Sequence, residues 1–181
     1  MPMRRLLRRL FRNERGAVAV EMAIIGPPFL LTLLSIIELG LILTTQALLD
    51  GATRDAARLI RTGQVNAAGN TIGTFQTLLC SDMSMLLGNP ECTNSVIVDV
   101  ISNPNAANFA GLTFAACSSN AGSGGPQPCP FNAGNAGDIV AVQVSYNRPF
   151  IIPWVGNMLS LASDSQHTLL QSTVVFRNEP F

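Results

Sequence analysis

Lysine is missing from this chain altogether, and charged residues of every kind make up only 12 % of it. Soluble domains carry about a quarter, so much of the surface lies somewhere other than open water. Formal net charge is zero. Without a basic excess, nucleic acid is excluded as the main partner, because phosphate binding requires one. Histidine occurs once, as His167, and no Cys-x-x-Cys occurs. That leaves no base pair for acid–base chemistry and argues against a zinc site. The glycine-rich Gly122-Ser123-Gly124-Gly125 lacks the lysine and following helix of a phosphate loop. Ser163-Asp164-Ser165-Gln166-His167 contains triad residue types only as sequence neighbours, and triads are not built that way. The reading is therefore no enzyme, no catalytic residues, no cofactor, no metal and no small-molecule substrate.

The charge that is present is unevenly placed. All eleven cations are arginine, and six of them (Arg4, Arg5, Arg8, Arg9, Arg12 and Arg15) fall within the first fifteen residues, opposed only by Glu14. The apolar run Ala17–Leu43 follows directly, with Glu21 and Glu38 as its only charges. As a helix it is about 40 Å long, more than the roughly 30 Å hydrocarbon core of a bilayer. It is too long for a secretory h-region and is followed by a helical pattern rather than a cleavage site. No cysteine ends it, as a lipoprotein signal requires. The arginine excess before the span keeps the N-terminus in the cytoplasm and sends the remainder outward. Cysteine use agrees with that topology. Cys80, Cys92, Cys117 and Cys129 all follow the apolar run, and an even number in an exported domain suggests two disulfides. Three connectivities are possible. Short separations favour Cys80–Cys92 with Cys117–Cys129.

The junction Arg15-Gly16-Ala17-Val18-Ala19-Val20-Glu21 places a basic leader, a glycine, an apolar helix and a glutamate fifth in that helix. It resembles the signal of type IV pilins and pseudopilins. The resemblance implies that a prepilin peptidase cuts between Gly16 and Ala17 on the cytoplasmic side. It also implies that Glu21 acts in processing or assembly by meeting the new amino group of an adjoining subunit. The simpler role for Glu21 is to cap the helix N-terminus, where the macrodipole favours an anion. Further on, Glu21-Met22-Ala23-Ile24-Ile25-Gly26-Pro27-Pro28-Phe29-Leu30-Leu31, then Gln46, Ala52–Arg54 and Ala56-Ala57-Arg58, resemble the TadE-like family. So does the C-terminal Arg177-Asn178-Glu179-Pro180-Phe181. That family implies a minor pseudopilin of the tight-adherence (Tad) pilus. Its expected partners are the membrane, a prepilin peptidase, and other pilin-like and Tad machinery subunits. Its expected place is the inner membrane, single-pass, with the C-terminal domain periplasmic. The rivals are an uncleaved bitopic scaffold and a membrane-anchored periplasmic enzyme.

The remaining pattern sets out four regions: a basic leader (1–16), a transmembrane helix (17–43), its periplasmic continuation (44–62) and a periplasmic α+β domain (63–181). Pro27 and Pro28 remove backbone donors, so a static kink or a melted segment is expected near Ile24–Gly26. Glu38 is placed at an exposed interfacial position, with a partner helix as the alternative. Leu48, Ala52, Ala56, Leu59 and Ile60 recur at helical spacing, and Asp50 and Arg54 stand as an i,i+4 pair. Arg54, Arg58 and Arg61 form a solvated face near the helix end, and Gly63 is the C-cap. A short helix is expected at Ile72–Leu87, broken by Gly88-Asn89-Pro90. Strands are expected at Ser95–Ser102, Asp138–Tyr146 and Ser165–Arg177, where β-branched residues alternate. Asn103–Asn108 reads as a turn, Ser118–Pro130 as a loop, and the stretch after Pro153-Trp154 as a short apolar helix. One long helix packed on a small antiparallel sheet gives an α+β layer, the pilin-like plan.

Overall fold

The computed structural model describes residues 14–67, 69, 72–85, 87–104, 112–114, 129–159 and 166–181. The chain divides into two compact units, Met1–Leu41 and Ile42–Phe181. Helix α1 (Glu14–Arg61) begins in the first and ends in the second. Its helical hydrogen-bonding pattern runs through Pro27 and Pro28, so no melted segment is present. Each proline deprives the carbonyl four residues earlier of its donor. Just beyond, the Thr32 hydroxyl donates to the Pro28 carbonyl (2.8 Å) and the Ser35 hydroxyl to the Leu31 carbonyl (2.8 Å).

Within the second unit, residues 42–61 of α1 present one stripe to the core. Leu49, Ala52, Thr53, Ala56, Ala57 and Ile60 are buried, whereas Leu48 and Leu59 are only partly so. The core row keeps Ala52, Ala56 and Ile60 of the expected one, with Leu49 and Ala57 in place of Leu48 and Leu59. It passes through a threonine whose hydroxyl is satisfied internally, by donating to the Leu49 carbonyl at 2.7 Å. Asp50 accepts from the Gln46 side-chain amide at 3.2 Å, an uncharged neighbour rather than Arg54. The helix ends at Gly63, whose φ of +73° is the left-handed conformation a C-cap glycine adopts.

Three short helices follow: α2 (Gln64–Ala67), α3 (Ile72–Asp82) and α4 (Asn89–Ser95). Helix α4 corrects the expectation of a simple break at Gly88-Asn89-Pro90. Gly88 is its N-cap and the proline stands in its first turn, where the missing N–H costs nothing. The Cys80–Cys92 disulfide joins α3 to α4 across 5.7 Å between Cα atoms. Cys117, and with it the second expected pairing, lies outside the described residues. So does most of the expected loop at Ser118–Pro130 and of the turn at Asn103–Asn108.

The sheet is antiparallel in the order β1-β2-β3, with β1 (Val96–Asn103), β2 (Ile139–Pro149) and β3 (His167–Arg177). Register pairs Val98 with Val144 and Val144 with Ser172. The even-numbered rows of valine therefore lie on the helix side, with Phe75, Leu79 and Met83 completing the core. Small alanines at 52, 56 and 57 let α1 lie close on these valines. Pro130 and Asn132 bond the outer edge of β1 at Val100 (3.0 and 2.8 Å). Phe131 there meets Phe75 edge-on at 6.1 Å. Helix α5 (Pro153–Leu159) lies in the β2–β3 connection. The result is the expected pilin-like α+β arrangement, a long N-terminal helix against a three-stranded antiparallel sheet.

Candidate functional site

Gly16, Ala17 and Glu21 all lie on α1. Glu21 is exposed, four residues and so one turn beyond Ala17. Glu21 and residue 17 therefore lie on the same face of the helix. From Val18 to Leu39 the apolar side chains are exposed on every side of the helix, with neighbours such as Ile24 and Ile25, Leu30 and Leu31, and Ile36 and Ile37 all open. A helix apolar all round has no single core face, and its surroundings must themselves be apolar. It is also the one helix among the described residues long and apolar enough to cross a membrane. The chain thus has one long apolar N-terminal helix of the kind that anchors a protein in a bilayer, followed by a disulfide-bearing domain of the kind found outside the cytoplasm.

Glu38 departs from expectation. It is buried, with 1 % of its surface exposed, rather than open at an interface. A carboxylate on an apolar helix is costly where it faces hydrocarbon, and burial removes that contact. Arg54, Arg58 and Arg61 are exposed along α1, as a solvated basic face requires.

The C-terminal Arg177-Asn178-Glu179-Pro180-Phe181 forms a clasp. The Arg177 guanidinium donates to the Gly137 carbonyl at 2.9 Å. Buried Asn178 donates from its side-chain amide to two carbonyls, Ala133 at 2.8 Å and Asn135 at 3.0 Å. Its backbone N–H continues the sheet by donating to Asp138 (2.9 Å). The Glu179 N–H donates to the Arg61 carbonyl (3.0 Å), one of those left over at the end of α1, and its carboxylate meets the Arg61 guanidinium at 2.7 Å. The Phe181 ring lies against Gly63, where a Cβ would come within 2.5 Å of it. The sequence resemblance marked these residues without supplying a reason. Their partners lie about forty or more positions away, so no local pattern exposes the role. A groove of about 460 Å³ beside the clasp is lined by Ala136, Gly137, Arg177, Asn178, Glu179 and Pro180. The loop carbonyls of 133, 134, 135 and 137 accept from Asn178, Asn66 and Arg177.

Asp99 is buried on β1, and desolvation raises its pKa above the usual carboxylate range. Among the described residues, no three of His, Cys, Asp and Glu gather where they could hold a metal.

Among protein families, the model described as TadE-like protein matches residues 16–58. The match takes in the glycine junction, Glu21, the exposed apolar helix and the first part of the core stripe, and it stops before the C-terminal clasp. No curated protein and no solved structure matches the chain.

Proposed function

We propose that this chain, TadE-like over residues 16–58, is a minor pseudopilin of a tight-adherence pilus, an inner-membrane subunit that supports pilus assembly and hence adhesion and biofilm formation. One observation carries the reading. The family match begins at Gly16, the residue before the expected cut, and runs through the helix whose apolar side chains are exposed all round. In this reading the six leading arginines hold the N-terminus in the cytoplasm, and residues 17–43 span the bilayer. The helix continues to residue 62, and the domain of residues 63–181 lies in the periplasm, where Cys80–Cys92 forms.

A prepilin peptidase hydrolyses the Gly16–Ala17 bond and leaves Ala17 with a free ammonium group. Glu21 is then an anion one turn from the N-terminus of an apolar helix. An uncompensated carboxylate is disfavoured there. Its compensation is either the amine of its own chain, backed by the helix dipole, or the amine of a neighbouring subunit as the helices pack. The partners are therefore the peptidase, other pilin-like helices and the Tad machinery.

Co-expression with the peptidase, with and without Glu21→Ala, followed by mass spectrometry of the mature chain, tests this. A new start at Ala17 is expected, with the Glu21→Ala chain lost from processing or from assembly. An intact leader beside an active peptidase would sink the processed-pseudopilin reading and leave the uncleaved bitopic scaffold in its place.

A further inference from the structure

Two pins show how the second unit is oriented along its own helix. Near its start, the Gln46 side-chain amide donates to the Gln171 carbonyl on β3 (2.9 Å). Near its end, Arg61 is held by Glu179 just past β3. Residues 42–61 of α1 and strand β3 therefore run side by side in the same direction. Fifteen helical residues rise about 22 Å, and eight strand residues cover about 27 Å, so the two pins are compatible. The start of β3, where His167 pairs with Pro149, must then lie at the Ile42 end of this unit. Ile42 lies in the last turn of the apolar run Ala17–Leu43, so this is the end at which the chain leaves the bilayer.

The segment that closes this end is the β2–β3 connection. No charged residue occurs between Arg148 and Asp164. Ile151 is 66 % exposed, and Leu169, near the start of β3 opposite Asn147, is 63 % exposed. Phe150, Ile152 and Trp154 are partly buried, and Trp154 is the only tryptophan. The presentation is firm. The Phe150 N–H donates to the Gln166 carbonyl (2.9 Å) and closes the ends of the connection. The Val155 N–H donates to Ile152 (3.0 Å) and fixes the turn into α5. Uncharged aliphatic side chains beside a tryptophan match the chemistry of the lipid interfacial zone, where indole rings collect.

We propose that the Phe150–Trp154 turn is a second membrane contact, inserted at the phospholipid headgroup boundary beside the exit of α1. It sets how the domain stands on the bilayer. The proposal rests on the anchoring reading above, and the two fail separately. The test uses the full chain reconstituted into vesicles, with Trp154 as the intrinsic probe. Lipids brominated at a shallow acyl position should quench its emission, and aqueous iodide should not. Ile151→Asp, at an exposed side chain, should shift emission to the red and abolish lipid quenching, while the chain still floats with the vesicles through α1. Iodide quenching without bromolipid quenching, in wild-type chain that floats, would overturn the proposal. Protection from both quenchers would overturn it too, by showing the turn covered by protein. Loss of flotation in the wild-type chain would strike the anchor itself, and this contact with it.

Discussion

Replacing Asn178 by alanine separates the two polar letters at the heart of the C-terminal clasp. Asn178 is 3 % exposed, and its amide satisfies the carbonyls of Ala133 and Asn135. Each hydrogen bond contributes about 1 kcal/mol net, and a buried carbonyl left without a donor costs about 1–3 kcal/mol. Ala133 is wholly buried, so water cannot replace the lost donor there, whereas Asn135 is exposed and its carbonyl is more readily rehydrated. The expected loss for Asn178→Ala is thus about 2–3 kcal/mol. Glu179→Ala breaks an ion pair whose side chains are 48 % and 55 % exposed. A pair that open contributes at most about 1 kcal/mol, and the Glu179 N–H still holds the Arg61 carbonyl. Thermal unfolding of the full chain in detergent, followed by Trp154 emission, should show Asn178→Ala lowering the midpoint by about 6–10 °C and Glu179→Ala by about 3 °C or less. Asn178→Asp should be worse than alanine, because it sets an acceptor against two acceptors. If Glu179→Ala proved the costlier change, or Asn178→Ala were silent, the clasp would not be held by its buried amide.

Three further outcomes follow from the second unit. Removing the Cys80–Cys92 disulfide as a paired alanine variant opens a loop with a sequence separation of 12; the chain-entropy relation gives a loss of about 3 kcal/mol, measurable as a lower denaturant midpoint with an equal or steeper slope, because the unfolded chain is released. Leu49→Ala should cost about 2–5 kcal/mol, and Leu48→Ala clearly less, because Leu49 is fully buried and Leu48 only partly; equal losses would restore the row expected from sequence. Asp99 has its folded-state pKa raised by desolvation, so the folded chain binds its proton more tightly than the unfolded one. Its contribution to stability therefore falls as pH rises from the unfolded pKa to the folded one, and is flat on either side. Asp99→Asn should remove that fall, gaining most relative to wild type at neutral pH and least near pH 4; a gain independent of pH would refute the assignment.

Strands were the most legible part of the fold, because their signal is local. The apolar run Ile139–Val142, followed by alternation to Tyr146, is visible in the sequence, and the strand it marks pairs with Val96–Asn103. The long helix was legible for the same reason. What sequence misplaced was decided by contacts across the chain. Leu48 and Leu49 are equally apolar, and only the sheet beneath them selects the row. That row includes Thr53, a polar residue that hydropathy skips and whose own helix satisfies it. Gly88-Asn89-Pro90 reads as a breaker because glycine and proline punctuate helices at both ends. Here they open α4, which at seven residues is too short to show a helical period. The site was split in the same way. Gly16, Ala17 and Glu21 stand within six consecutive positions, and their spacing is itself the signal. The clasp at Arg177–Phe181 spans from β3 to Arg61 and to residues 133–137, and nothing adjacent in sequence says so.

That division bears on how the domain would serve a pilus. On the reading proposed above, a subunit leaving the bilayer would be pulled through its N-terminal helix. Here the helix within residues 42–61 is pinned near both ends to one strand and its extension, by Gln46 at Gln171 and by Arg61 at Glu179. Helix and β3 run in the same direction, so a pull along the helix is passed to β3 along its length. It is then shared among the hydrogen bonds of the eleven-residue β2–β3 ladder as shear, rather than opening them one at a time. The terminal residues gain their importance from that geometry. They tie the far end of the spine to the sheet at the point where a pull would otherwise peel the helix away, and the buried amide of Asn178 keeps the tie anchored to the loop beneath it.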